Sequence, residues 1–179
     1  MKIVAIVGMC GSGKSIACDY FENIGFKKVY FGGVTLDKIK ELGLEVNKDN
    51  EKMVRENLRK EYGMGAYAYI LLPKIRELHL NNNVVLDGLY SWDELKILKK
   101  EFKDDLVVLA IVVNKNYRYD RISKRDIRGL SKEDAIKRDI SEIENLAKGG
   151  PISYADYYIL NNGDMDSYLR DLKEVEKEL

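Results

Sequence analysis

A chain of 179 residues fits one domain by length, and folding at this size removes roughly 70% of the extended chain's surface from water. With 45% hydrophobic and 34% charged residues it is globular and not disordered. Thirty basic residues balance thirty acidic ones, which excludes a global attraction to nucleic acid or an anionic membrane and leaves anion binding to local clusters of positive charge.

Met1-Lys2 runs straight into an apolar strand, with none of the features of a cleaved leader. The longest apolar run, Leu106 to Val113, is eight residues, well short of a membrane span. Cys10 and Cys18 have neither a metal-site spacing nor a secreted disulfide framework, so reduced thiols in a cytoplasmic protein are expected.

Short, β-branched, nearly continuous apolar runs predict strands at Lys2–Val7, Lys27–Phe31, Val84–Asp87, Leu106–Val113 and Asp156–Leu160. Helical stripes lie between them. Ile16, Tyr20 and Ile24 form the first, and Val54, Leu58 and Tyr62 the second. Pro73 falls within a helical pattern over Tyr67–Leu80 and is expected to kink or divide it. Ser91 with Glu94 reads as a capping box ahead of Leu95, Leu98 and Phe102. Ser131 opens a helix with Ile136, Ile140, Ile143 and Ala147 inward, and the last helix carries Met165, Leu169, Leu172 and Val175. This alternation predicts one α/β domain over 1–179 with a parallel sheet. Two helical insertions stand out, at 34–80 and 116–150.

The segment Gly8-Met9-Cys10-Gly11-Ser12-Gly13-Lys14-Ser15 matches G-x-x-x-x-G-K-[ST] in full, after an apolar strand and before a helical stripe. Glycines at Gly8, Gly11 and Gly13 let backbone amides, including that of Ser12, turn inward around phosphate oxygens, and the helix N-terminus adds its positive end. Lys14 is expected on the β- and γ-phosphates, and the Ser15 hydroxyl on magnesium. Val84-Val85-Leu86-Asp87-Gly88 ends a strand in a carboxylate, so Asp87 is the second expected magnesium-site residue; a turn or capping Asp is the alternative. A guanine-nucleotide switch is disfavoured. Tyr117 replaces the discriminating Asp after Asn114-Lys115, and Tyr90 stands three residues past Asp87 where a Gly is required.

Arg118, Arg121, Arg125, Arg128 and Arg138 then fall within one insertion of a neutral chain. Arg121 and Arg125 are spaced to share a helix face. Phosphoryl transfer needs several cations around the moving group, so Arg121, Arg125 and Arg138 join Lys14 and Asp87 as candidate catalytic residues. His79, the single histidine, reads as a polar helix terminus.

With these features the chain resembles the nucleoside monophosphate kinase group of P-loop proteins, and more closely the adenylate-kinase-like and dephospho-CoA-kinase-related kinases. Its landmarks are the phosphate loop, Leu58-Arg59-Lys60-Glu61-Tyr62-Gly63-Met64-Gly65-Ala66, Val85-Leu86-Asp87-Gly88, Arg121-Ile122-Ser123-Lys124-Arg125, Arg138-Asp139, and Ala155-Asp156-Tyr157-Tyr158-Ile159-Leu160-Asn161-Asn162-Gly163. The resemblance implies a three-layer fold with a five-stranded parallel sheet, an acceptor-binding insertion at 34–80 and a lid at 116–150. ATP and Mg2+ are the implied cofactors, and a small phosphorylated or nucleotide-like molecule the implied acceptor. Asn161 and Gly163 would flank the adenine ring; an ordinary turn is the alternative. Adenylate kinases carry an Arg after the second strand and another after the Asp-Gly of the third, where this chain has Gly32-Gly33-Val34-Thr35-Leu36 and Leu89-Tyr90. Dephospho-CoA kinases carry an Asp after the second strand, where Phe31-Gly32-Gly33 stands. Gly33 and Tyr90 therefore occupy the acceptor-facing places, and Arg59, with Arg55 one turn before it, is the candidate to hold an acceptor phosphate.

Overall fold

In the computed structural model, residues 1–125 and 129–179 are described. Five strands, β1 (Ile3–Val7), β2 (Lys27–Tyr30), β3 (Val84–Asp87), β4 (Leu106–Val112) and β5 (Tyr157–Leu160), form one parallel sheet in the order β2-β3-β1-β4-β5. Each lies within one residue of its predicted bounds. Every residue of β1 is buried, because helices cover both faces of the sheet and an apolar side chain is favoured in either direction.

One face carries α2 (Gly33–Glu41), α3 (Lys48–Tyr62), α4 (Ala66–His79), α5 (Trp92–Phe102) and the short α8 (Gly149–Ser153), around a core that includes Phe31, Ile39, Ile75, Leu86, Leu95 and Leu98. The opposite face carries α1 (Lys14–Asn23) and α9 (Met165–Lys177), closing on Ile6, Phe21, Ile111, Tyr168 and Leu172. Between β4 and β5 lie α6 (Lys115–Ser123) and α7 (Lys132–Leu146). They meet the phosphate loop through a small separate cluster of Cys10, Tyr119, Ile122 and Ala135. The loop follows β1 where its neighbours β3 and β4 diverge in connection, the crevice in which parallel α/β sheets bind ligands. Among the described residues no helix is long and apolar enough to cross a membrane.

The capping box is present: Ser91 Oγ accepts from the Glu94 N–H at 3.0 Å, and Glu94 accepts from the Ser91 N–H at 3.0 Å. Four other expectations are corrected. Pro73 does not divide α4, which runs unbroken through it. The carbonyl of Tyr69 loses its helical partner there, but Tyr69 and Pro73 are both exposed, so water takes the vacancy. In α1 the inward residues are Ala17, Cys18 and Phe21; Ile16 and Tyr20 are only partly buried and Ile24 is exposed. Small side chains at 17 and 18 let the helix after the loop lie close to the sheet. At the ends of two stripes, Tyr62, Met165 and Leu169 are exposed, and Tyr168 is the buried aromatic of α9.

The fourth correction matters most. Helix α7 presents Ala135, Asp139 and Glu142 inward, while Ile136, Ile140 and Ile143 face solvent and Ala147 forms the left-handed C-cap. Buried cations on neighbouring segments need those carboxylates, and an unpaired buried charge costs more than three exposed isoleucines. Arg128 lies outside the described residues.

This register has a measurable consequence. In urea unfolding, Ile140→Lys should shift stability by no more than about 0.5 kcal/mol, as for other surface changes. Leu98→Ala, in the core, should cost about 2–5 kcal/mol. A multi-kilocalorie loss at Ile140 would place the isoleucine face inward.

Candidate functional site

The phosphate loop is shaped by what its carbonyls do. Lys14 Nζ donates to the Met9 carbonyl at 3.0 Å. Arg118 Nη1 donates to the Cys10 carbonyl at 3.0 Å, Asn161 Nδ2 to the Ser12 carbonyl at 2.9 Å, and the Tyr168 hydroxyl to the Gly13 carbonyl at 3.0 Å. With its oxygens held by side chains, the loop can turn its N–H groups toward an anion. Two glycines are needed for this path. Gly8 has φ +146°, and a Cβ there would lie 2.4 Å from the Ile111 carbonyl oxygen. Gly13 has φ +98°, and a Cβ there would lie 2.6 Å from Asn161 Nδ2.

Arg118 itself is buried and held in a fork by Asp139, with Nη1–Oδ1 at 3.0 Å and Nη2–Oδ2 at 2.6 Å; the Tyr119 hydroxyl adds a third donor to Asp139. It braces the loop and does not reach the open side of the site.

On the β4–β5 side a hollow of about 220 Å³ is lined by Gly11, Gly13, Arg121, Arg125, Asn161, Gly163 and Tyr168, among others. The sequence paired Arg121 and Arg125 on one helix face. The structure ends α6 at Ser123 and leaves Arg125 beyond it, yet both arginines line this hollow. Asn161 has two tasks there, as loop brace and as wall.

On the other side of Lys14 is a group of charges. Glu142 accepts from Lys148 Nζ at 2.6 Å and from Arg138 Nε at 3.1 Å. The Lys148 ammonium stands 4.5 Å from the centroid of the Tyr90 ring. Burial, and next the neighbouring Lys148 charge, push the Lys14 ammonium down to about 7. Burial likewise lowers Lys148, against the pull of Glu142. Burial raises the Tyr90 phenol, with Asp87 the next cause.

Asp87 ends β3 and stands against the Cys18 thiol, one turn along α1 from Ser15; burial pushes its carboxyl up, opposed by Lys28 and Lys14. A hydroxyl and a carboxylate oxygen suit a hard divalent cation that takes its remaining ligands from phosphates and water. Among the described residues no three His, Cys, Asp or Glu converge on a point; Ser15 and Asp87 are the residues whose chemistry would suit such a cation.

Toward α2 and α3, Gly33 begins α2 under the Tyr30 ring, and no side chain caps that helix. Arg59 lies 5.8 Å from the Tyr67 ring centroid, with its Nε buried and without a hydrogen-bond partner. The Tyr67 hydroxyl meets Thr35 Oγ1 at 2.7 Å. Arg55 is drawn away into an ion pair with Glu51 at 3.2 Å. Sequence reasoning missed Glu142, Lys148 and Tyr168, and marked Asp139 only as a landmark beside Arg138, without a role. The available signals were two acids spaced i,i+3 inside an apolar pattern, and a lysine directly before Gly149-Gly150-Pro151.

A strand–loop–helix whose carbonyls are held by side chains beside a half-buried lysine, on a sheet ordered 2-3-1-4-5, defines a P-loop nucleotide-binding domain of kinase-like fold. The sequence profile of the AAA domain family matches residues 4–146, and a UPF0200 protein of Thermococcus kodakarensis is 33% identical over 181 residues, covering 99% of this chain and 97% of that one. The chain belongs to this P-loop AAA domain family and, within it, to the UPF0200 proteins. Solved structures share the fold. Shikimate kinase from Bacteroides thetaiotaomicron superposes with a TM-score of 0.62 at 12% identity, covering 98% of both chains. Dephospho-CoA kinase from Campylobacter jejuni does so at 0.55 and 20% identity, covering 99% of this chain and 96% of that one.

The buried Arg118–Asp139 fork can be tested directly. Asp139→Ala leaves a buried guanidinium without its carboxylate and should cost about 3–5 kcal/mol in denaturant unfolding. A cost below about 1 kcal/mol, the level of an exposed pair, would show that the fork is not buried in solution.

Proposed function

We propose that the protein moves the γ-phosphoryl group of ATP, with Mg2+, onto a small nucleotide or nucleotide-like acceptor. The observation that carries this reading is the charge balance beside the loop. In a chain of zero formal charge, Lys14, Lys148 and Arg138 gather around Glu142 and Asp87, cations outnumbering carboxylates. Such an excess, with Lys148 buried, Lys14 half-buried and Arg138 at the exposed rim, suits a polyanion and the charge that spreads over a phosphoryl group in transfer.

The residues divide the work. Loop amides from Gly8 to Ser15 and the Lys14 ammonium hold the phosphate tail. Ser15 and Asp87 hold the magnesium ion, which supplies positive charge to the phosphate oxygens when bound. Arg121, Arg125, Asn161 and Gly163 line the hollow suited to the base and the lid side of the phosphates. Gly33, Arg59 and Tyr90 face the acceptor, and the unpartnered Nε of Arg59 beside Tyr67 is a donor suited to an acceptor anion. In the transfer, the bond from the γ-phosphorus to the β–γ bridging oxygen breaks and its electron pair leaves with ADP. An acceptor oxygen forms the new bond. A phosphate acceptor has no proton to lose; a hydroxyl acceptor gives one up, and Asp87 is the carboxylate placed to take it.

The test is an acceptor screen with γ-labelled ATP against nucleoside monophosphates, nucleosides and dephospho-CoA. Label should appear on a phosphate-bearing nucleotide acceptor. Transfer to a hydroxyl alone would make the protein a hydroxyl kinase, and tight ATP binding with no transfer to any acceptor would make it a nucleotide-governed switch. Lys14→Ala should abolish transfer. Arg125→Ala should lower turnover by a factor on the order of 10², the loss expected for a transition-state cation; wild-type turnover in that variant would remove Arg125 from the mechanism.

A further inference from the structure

Lys148 belongs to no phosphate-loop motif, yet it is a buried lysine. It is 1% exposed. Its backbone N–H donates to the Glu142 carbonyl at 3.2 Å, so the chain leaving α7 folds back and returns the side chain to the helix it came from. Of the three donors on an ammonium group, one goes to Glu142. The Tyr90 face takes up part of the remaining charge. Among the described residues Glu142 is the one hydrogen-bond acceptor this ammonium has.

A tether alone does not account for this arrangement. Glu142 already has Arg138 as a partner, so a second cation is surplus to the neutralisation of one carboxylate. Replacing a whole buried ion pair with apolar side chains of similar volume is commonly neutral or stabilising, so stability alone does not call for one. Instead the ammonium stands over the Tyr90 ring, three residues past Asp87, and is tied to α7, whose Asp139 holds the Arg118 that braces the Cys10 carbonyl. That places a surplus cation at the carboxyl end of the sheet, where parallel α/β sheets take up ligands.

We propose that Lys148 is a second phosphate-binding cation, whose ammonium contacts the terminal phosphoryl group of a bound nucleoside triphosphate on the side facing Tyr90, with Glu142 holding it ready in the free protein. This rests on the nucleotide reading of the loop and extends it to a residue outside the motif.

The test needs no turnover. Calorimetry would compare Mg2+ with ADP against Mg2+ with a non-hydrolysable ATP analogue, on wild type, Lys148→Met and Lys148→Arg. Wild type should prefer the triphosphate. In Lys148→Met that preference should fall by about tenfold or more while ADP affinity changes by less than about twofold, and Lys148→Arg should restore most of it. A purely structural lysine would weaken both nucleotides together, and an unchanged preference in Lys148→Met overturns the proposal. Should Lys148→Met not fold, Lys148→Gln serves instead. It keeps a polar side chain without the charge and should lose the triphosphate preference in the same way; an unchanged preference overturns the proposal. Wild type that binds neither nucleotide would bring down the phosphate-loop reading and this inference with it. Wild type that binds both but transfers nothing would overturn only the kinase, and the same ratio would still decide the role of Lys148.

Discussion

Everything in this site depends on where four carbonyl oxygens point. A loop that is to present its N–H groups to an anion must turn its C=O groups away, and a buried carbonyl without a donor is costly. The donors come from Lys14, Arg118, Asn161 and Tyr168. They lie on α1, on α6, just after β5 and on α9, so four parts of the chain meet at one turn of backbone. The remaining packing can be seen as the means of bringing them there. Tyr168 is buried against α1, Asn161 follows a strand paired to β4, and Arg118 is fixed by Asp139.

The sheet was legible because its signal is redundant. A strand covered on both faces must be apolar at nearly every position, as β1, β3 and β4 nearly are, whereas the edge strands β2 and β5 each bury one residue. The loop was legible because its chemistry forbids substitution: Gly8 and Gly13 sit where any side chain would strike the Ile111 carbonyl or Asn161. Asp87 could be placed because it ends a strand. Helix faces were harder. In α1, residues 16, 17, 18, 20 and 21 are all apolar or aromatic, so periodicity alone does not choose the inward side. In α4, whether Pro73 breaks the helix turns on where the orphaned carbonyl points, which is a property of the folded chain.

Helix α7 shows the limit most clearly. Its isoleucines form a regular stripe, and by the hydrophobic criterion they belong inside. The buried Arg118 and Lys148 reverse that choice. Arg118 is 21 residues from Asp139, and Lys148, although near Glu142 in the chain, reaches it only because the segment after α7 folds back. A charged residue's demand for a counter-ion becomes visible only once the fold has removed it from water. Lys148 and Glu142 were missed for that reason, and Asp139 was marked without its role; the same burial makes them candidates for more than scaffolding.

The braces on the loop also reach far along the chain. Asn161 is 149 residues from Ser12, and Tyr168 is 155 from Gly13. The turn of backbone after β1 therefore takes its shape only when segments far along the chain have packed beside it. A chain cut after β4 would keep the motif but lack two of the four groups that shape it, so long-range packing has to form before the loop does.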